Sequence, residues 1–221
     1  MNIRIATRGS KLALWQTRWV ATSIKAQFPD LTVEEIVIKT LGDKVTGVPL
    51  FQVGGQGLFI KEIETVLQQN GADFAVHSLK DVPHALAEGL TLCTITHRED
   101  PRDALVCRHP GTLAQLPLGA RIGTSSLRRQ TQLRALRPDL TFVSLRGNLD
   151  TRLRKLDDGE ADALILAAAG LRRLGLSSRV SEFFSTSIMT PAAGQGMLGI
   201  ECRKSDLASL RPLLEILEDP N

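Results

Sequence analysis

Residues 121–148 read RIGTSSLRRQTQLRALRPDLTFVSLRGN, and this stretch decides the fold class. Arg121–Gly123 is a short strand that ends on glycine, and Thr141–Leu145 is a second one. Between them Ser126–Leu136 has helical character, closed off by Pro138 and Asp139. A strand, a helix and a strand joined by short polar turns form the unit from which α/β proteins with parallel strands are built.

The same alternation continues on both sides. Upstream, Ile3–Thr7 is a strand, and Ser10 is placed to cap an amphipathic helix over Lys11–Phe28. Leu12, Trp15, Trp19 and Ile24 fall near one face of that helix, so both tryptophans are expected in the core. Val33–Lys39 is a strand, followed by the glycine-rich loop Phe51–Phe59, a helix from Ile60 to Gln69, and strands at Phe74–His77 and Leu90–Thr96. Downstream of the charged turn Arg98–Asp103 come strands at Ala104–Cys107 and Ala163–Ala167, with a helix over Asp150–Leu156. Met197–Glu201 reads as a late strand and Leu207–Leu217 as a last helix. The expected fold is α/β, with two domains built on largely parallel mixed sheets.

With 221 residues and 43% apolar content, the chain is long enough for two compact domains. The turn around Asp100 and the segment Pro191–Gly196 are the candidate crossings between them, leaving a cleft. Arg4, Arg8 and Lys11 interrupt any secretory signal, and no stretch reaches the apolar length of a membrane span. The expectation is a cytoplasmic protein without a membrane partner. Cys93, Cys107 and Cys202 belong to no ligand cluster and read as small buried hydrophobes. His84, His97 and His109 show no metal-ligand spacing, so no metal is expected.

Charge is unevenly distributed. Residues 98–179 hold 15 basic and 9 acidic groups, and 14 of the 15 are arginine. Arginine's planar fork matches a carboxylate or phosphate in two-pronged fashion, which points to a polyanionic ligand of fixed shape. A nucleic acid is disfavoured, because Phe142 is the only aromatic residue in that span.

Four strand ends carry polar or cationic groups, where open α/β sheets place their ligands. They are Thr7–Ser10, Gly123–Arg129, Ser144–Asn148 with Arg152, and Ala167–Arg173. Thr124, Ser125 and Ser126 precede a helix whose free N–H groups suit an anion, with Arg128 and Arg129 beside it. Any one of these arginines could be an ordinary solvated surface group; their repetition carries the argument. The glycine-rich loop lacks the lysine and hydroxyl of a nucleotide-binding loop and reads as a turn or lid. Asp81, in His77–Pro83, is an acidic group among these cations. It is either a turn aspartate or a carboxylate that stabilises developing positive charge or relays a proton. His77 reads as a core histidine.

The segments Arg4–Arg8, Ala75–Pro83, Arg98–Asp103, Gly123–Arg129, Leu145–Asn148 and Pro191–Gly196 together resemble the hydroxymethylbilane synthase (porphobilinogen deaminase) family, in the family's order and over essentially the whole chain. The resemblance implies a transferase that condenses four porphobilinogen units into linear hydroxymethylbilane with release of ammonia. It also implies two domains like those of type II periplasmic binding proteins with a site in the cleft, the first over 1–97 with 192–221 returning to it and the second over 98–191. Asp81 would be the catalytic group. Arg8, Ser10, Arg128, Arg129, Arg146, Arg152 and Arg173 would bind carboxylates, with Gln16, Ser78, Lys80, Thr124, Ser125 and Ser126 completing the binding set. The implied cofactor is dipyrromethane, held by a cysteine of a third domain that follows this stretch in the family, and the implied state is a monomer. Gln52 and Gln56 stand where the family often has lysine. On this reading the 221 residues alone turn substrate over poorly. The alternative is a non-catalytic polycarboxylate-binding module of periplasmic-binding-protein type.

Overall fold

The computed structural model of the chain describes residues 2–40 and 60–218. The glycine-rich loop, with Gln52 and Gln56, lies outside the described residues. The chain divides into two units: one takes the described residues up to Glu99 and from Met197 onward, and the other takes Asp100–Gly196.

The first unit is built on β1 (Asn2–Arg8), α1 (Lys11–Gln27), β2 (Thr32–Ile38), α2 (Lys61–Gln68), β3 (Phe74–Ser78) and β4 (Leu90–Ile95). The second runs through β5 (Asp103–Cys107), β6 (Arg121–Gly123), α3 (Leu127–Leu136), β7 (Thr141–Val143), α4 (Leu149–Asp157), β8 (Ala163–Ala167), α5 (Ala168–Arg173) and β9 (Glu182–Phe183). Then β10 (Leu198–Arg203) and α6 (Leu207–Leu214) return to the first unit.

The first sheet has the order β2-β1-β3-β10-β4. β1 pairs in parallel with β2 and β3, whereas β10 is antiparallel to both β3 and β4. The second sheet has the order β7-β6-β8-β5-β9, again with parallel pairs around β6 and antiparallel pairs around β5. Both sheets are therefore mixed. In each, the strand that reverses direction has one end at the border between units: β5 starts just after Asp100, and β10 just after Gly196.

Strand alternation loads both faces of each sheet. Ile3, Ile5, Phe74, Val76, Leu198 and Ile200 face α1 and α6 through Val20, Ile24, Leu210 and Leu214. Ala6 and Ala75 face the other way, against Ile63 and Leu67 of α2. In the second unit Leu164 and Leu166 pack on Leu149, Leu153 and Leu156 of α4. Ile122 and Ile165 pack on Leu133 of α3. Burial of these apolar faces is the main stabilising term.

Two expectations need correction. The buried face of α1 is Ala13, Gln16, Thr17, Val20 and Ile24, while Trp19 is 38% exposed. The helix is turned because Gln16 reaches inward to a hydrogen bond on β3, which apolar periodicity cannot reveal. Pro191–Gly196 goes with the second unit, not with the returning segment, because Gln195 donates to Pro101 O and Arg173 to Gly196 O.

Gly123, the last residue of β6, is enclosed by leucines. An added Cβ would stand 2.5 Å from Leu164 Cδ2 and 2.7 Å from Leu145 Cδ1. Gly123→Ala is expected to destabilise the protein by about 1–3 kcal/mol through overpacking. Gly9→Ala, whose Cβ meets only Val37 Cγ1 at 3.4 Å, serves as the control. Thermal unfolding checks this, and equal melting temperatures for the two variants would contradict it.

Candidate functional site

On the first unit, β1, β3 and β4 end at the same edge of the sheet. β1 closes on Arg8, which is half-buried. Two residues later Ser10, its backbone still extended, caps α1, its hydroxyl accepting from Ala13 N at 3.2 Å. Beside it β3 closes on Ser78, whose hydroxyl accepts from Gln16 Nε2 at 2.9 Å. Gln16 is 2% exposed, so it supports Ser78 and this edge from within the unit.

After Ser78 the chain makes a single tight turn, Leu79–Asp81. Leu79 N donates to Met197 O at 3.0 Å and Val82 N to Leu79 O at 3.1 Å. Leu79 and Val82 lie over Gly199 of β10, where a Cβ would come within 3.1 Å of Leu79 Cδ1. That anchoring turns Lys80 and Asp81 outward, and both are exposed. Among the described residues the Asp81 carboxylate takes part in no hydrogen bond or ion pair. An aspartate that capped a turn would accept from a nearby backbone N–H. The structural alternative for this residue is thereby weakened.

On the second unit the equivalent edge is made by β6, β7 and β8. Thr124 follows β6 and is nearly buried; its N–H donates to Val143 O at 3.0 Å, and its hydroxyl accepts from Ser126 N at 3.2 Å. Ser126 caps α3 by accepting from Arg129 N. The hydroxyls of Ser125 and Ser144 lie 3.0 Å apart, which joins the ends of β6 and β7. Gly147, at φ +116°, turns the chain after Arg146 into α4, which carries Arg152. Arg146 and Arg152 are half-buried. Arg173, at the end of α5, donates to Gly196 O at 2.7 Å.

The two neighbouring arginines of α3 differ. Arg129 is 7% exposed. Its Nε and Nη2 both donate to Asp103 Oδ1, at 3.1 and 2.7 Å, and its Nη1 donates to Ile165 O at 3.0 Å. Each of its three nitrogens thus donates inside the unit, which anchors Arg129 on Asp103 and Ile165. Arg128 is the more open of the pair, with 26% of its side chain exposed. Sequence reading missed Asp103 and Gln195 as parts of this site, although both fall in segments that it singled out. Burial alone would raise the Asp103 carboxyl, but the charge of Arg129, the Arg128 guanidinium beside it and hydrogen bonds from Arg129 and Gln195 outweigh it and hold it below the ordinary carboxylate value.

The cysteines lie inside the sheets. Cys107 and Cys202 are buried and Cys93 is half-buried. The thiols of Cys93 and Cys107 donate to the carbonyls of Ile200 and Gly111. His77 is a core residue, its Nε2 2.9 Å from Glu201 Oε2. Among the described residues no group of histidine, cysteine or acidic side chains is arranged to hold a metal, and no helix is long and apolar enough to cross a membrane.

A family model described as porphobilinogen deaminase, dipyromethane cofactor binding domain, matches residues 3–211. The chain belongs to the porphobilinogen deaminase family. The porphobilinogen deaminase of Nitratidesulfovibrio vulgaris is 58% identical over 214 residues, 97% of this chain and 67% of that protein. That of Pelobacter propionicus is 56% identical over 205 residues, 93% of this chain and 66% of its own. The chain thus spans about two thirds of the length of these relatives. Among solved structures, Immunogenic lipoprotein A from Vibrio vulnificus matches with a TM-score of 0.61 at 12% identity, covering 97% of this chain and 94% of that one. A TRAP periplasmic solute binding protein from Desulfovibrio salexigens matches at 0.54 and 13% identity, covering 99% and 72%. These two show the fold alone, that of periplasmic binding proteins.

Proposed function

We propose that this chain is the substrate- and cofactor-binding core of a porphobilinogen deaminase, a cytoplasmic, monomeric transferase that joins four porphobilinogen units head to tail and releases one ammonia for each. The observation that carries the reading is the Asp81 carboxylate, held outward without a partner among the described residues on an edge that otherwise presents Arg8, Ser10 and Lys80. A site for anions alone has no use for a negative group there. A reaction that develops positive charge has.

The donor set fits dipyrromethane, whose rings carry acetate and propionate groups. Hydroxyls at Thr124, Ser125 and Ser126, the open N-terminus of α3 and the Arg128 guanidinium are all carboxylate partners. They would hold its carboxylates together with Arg146, Arg152 and Arg173, while Arg8 and Ser10 offer the same chemistry on the first unit. When bound, the cofactor supplies the free pyrrole α-carbon to which the first unit is joined.

The chain's own residues then act on the incoming ring. The arginines fix it by its carboxylates, which orients the aminomethyl carbon and lowers the entropic cost of the encounter. Asp81 stabilises the cation left when the carbon–nitrogen bond of the aminomethyl group breaks and ammonia departs. After the new carbon–carbon bond forms, the same carboxylate takes the α-proton and restores the aromatic ring. Porphobilinogen supplied to the protein extended to its relatives' length tests the proposal. One ammonia per porphobilinogen consumed and a linear tetrapyrrole product are expected; binding without ammonia release would overturn it in favour of a simple carboxylate-binding module.

A further inference from the structure

We infer that Asp103 is a positioning residue that holds Arg128 ready for a ligand carboxylate, with Arg129 as its permanent internal counter-ion. The inference rests on the reading of Arg128 as a carboxylate-binding residue and adds to it the group that sets its geometry.

Asp103 begins β5, which runs antiparallel to β8, so it stands opposite Ala167 at the edge where β6, β7 and β8 end. It is 0% exposed. An ionised group so placed must be paired, and the pairing is uneven between its two oxygens. Oδ1 takes three directed donors, two from Arg129 and one from Gln195 Nε2 at 3.0 Å. Oδ2 is approached by Arg128 Nη1 at 2.7 Å, close enough for strong charge attraction but not aligned as a hydrogen bond, and it has no aligned donor among the described residues. Arg128 is also pinned from a second direction, because its Nη1 donates to the carbonyl of Thr190.

One carboxylate between two guanidiniums leaves a net positive charge at the first turn of α3, and the half of the pair that is open to solvent carries it. Arg129 neutralises Asp103 whether or not a ligand is present. Arg128 is attracted without being saturated, and its side chain, 26% exposed, stands beside Thr124, Ser125 and Ser126 at the start of the same helix. A long arginine side chain held in one orientation before its ligand arrives loses less freedom on binding, which strengthens the complex without adding a contact. Two adjacent arginines are needed because each does a different job. Gln195 brings the end of the second unit's chain to the same carboxylate, since it also donates to Pro101 O at 2.6 Å.

The test uses the double variant D103N/R129Q, which removes a buried charge pair together and leaves neither charge stranded. The first readout is the nitrogen NMR signal of the Arg128 guanidinium. Slow rotation with resolved Nη protons is expected in the unaltered protein, and averaging in D103N/R129Q. An averaged Arg128 signal in the unaltered protein overturns the inference by itself, whatever becomes of the variant. The second readout is porphobilinogen affinity by calorimetry. R128Q and D103N/R129Q should each weaken binding roughly tenfold, and the triple variant hardly further, since both changes disable the same group. Losses that multiply to roughly a hundredfold would mean that Asp103 acts independently of Arg128 and would overturn the inference. If the unaltered protein does not bind porphobilinogen at all, the proposed function fails, and the NMR arm still decides the role of Asp103.

Discussion

Asp81→Asn, in the protein extended to its relatives' length, is expected to reduce porphobilinogen turnover by about 10²–10⁴-fold, the range for a positioned proton-transfer group. Binding of porphobilinogen should change little, by about twofold at most, because its carboxylates are held by arginines and hydroxyls on other segments. Asparagine keeps the shape and polarity of the exposed side chain but cannot offset positive charge or accept the α-proton. The turn itself should survive the change, since it is fixed by Leu79 N on Met197 O and by Leu79 packed over Gly199, not by the carboxylate. Steady-state rates with ligand titrations separate the two effects. Equal losses in affinity and rate would make Asp81 a binding residue and remove it from the chemistry.

The second large effect separates neighbouring arginines of the same charge. Arg129→Met is expected to destabilise the protein by about 3–5 kcal/mol, because it takes from the fully buried Asp103 its buried counter-ion and two of its three directed donors. Arg128→Met should cost far less stability, since Arg129 still neutralises the carboxylate, but should weaken carboxylate binding. For a chain of this size the first change corresponds to a fall in melting temperature of roughly 2–4 °C per kcal/mol. The pH dependence has a definite sign. Asp103 is held below its ordinary value in the fold, so its contribution is fully present above about pH 4, the unfolded value, and is lost as pH falls through the lower folded value. Arg129→Met should therefore flatten the acid limb of the stability profile. Equal melting temperatures for the two methionine variants would contradict this division of roles.

The sheets and the helix starts were legible because they follow local rules. Ser10 and Ser126 are short hydroxyl residues ahead of helical periodicity, and both cap as such residues do. Strand positions such as Ile3, Ile5, Phe74 and Val76 are apolar at the spacing of a sheet. What was not legible depends on contacts distant in sequence. Nothing local distinguishes Arg128 from Arg129; Asp103, 26 residues before the latter, decides which one turns inward. Likewise the phase of α1 is set by Gln16 bonding to Ser78, 62 residues away, so that Trp19 is exposed against the apolar count. β9 has two residues and α5 six, too few for any period to register. The sheet that receives β10 is fixed by its pairing with β3 and β4, and only the family resemblance anticipated it.

The reach of the candidate site was legible as chemistry before it was legible as geometry. Arginine at several strand ends led to the expectation of a carboxylate ligand, and Arg8, Arg128, Arg146, Arg152 and Arg173 lie on or beside the strands and helices from which that expectation was read. The structure places Arg129 and Gln16 in supporting positions, where their value lies in what they hold still.

The most direct measurement is a titration of the isotope-labelled chain with porphobilinogen, followed by NMR at the Asp81 carboxyl and at the arginine guanidinium groups. The account predicts saturable shifts at Asp81, Arg8 and Arg128 with one common affinity, and a stationary signal from Arg129. Shifts confined to other exposed arginines such as Arg134 and Arg211, or an Asp81 signal that does not move while the arginines saturate, would contradict it.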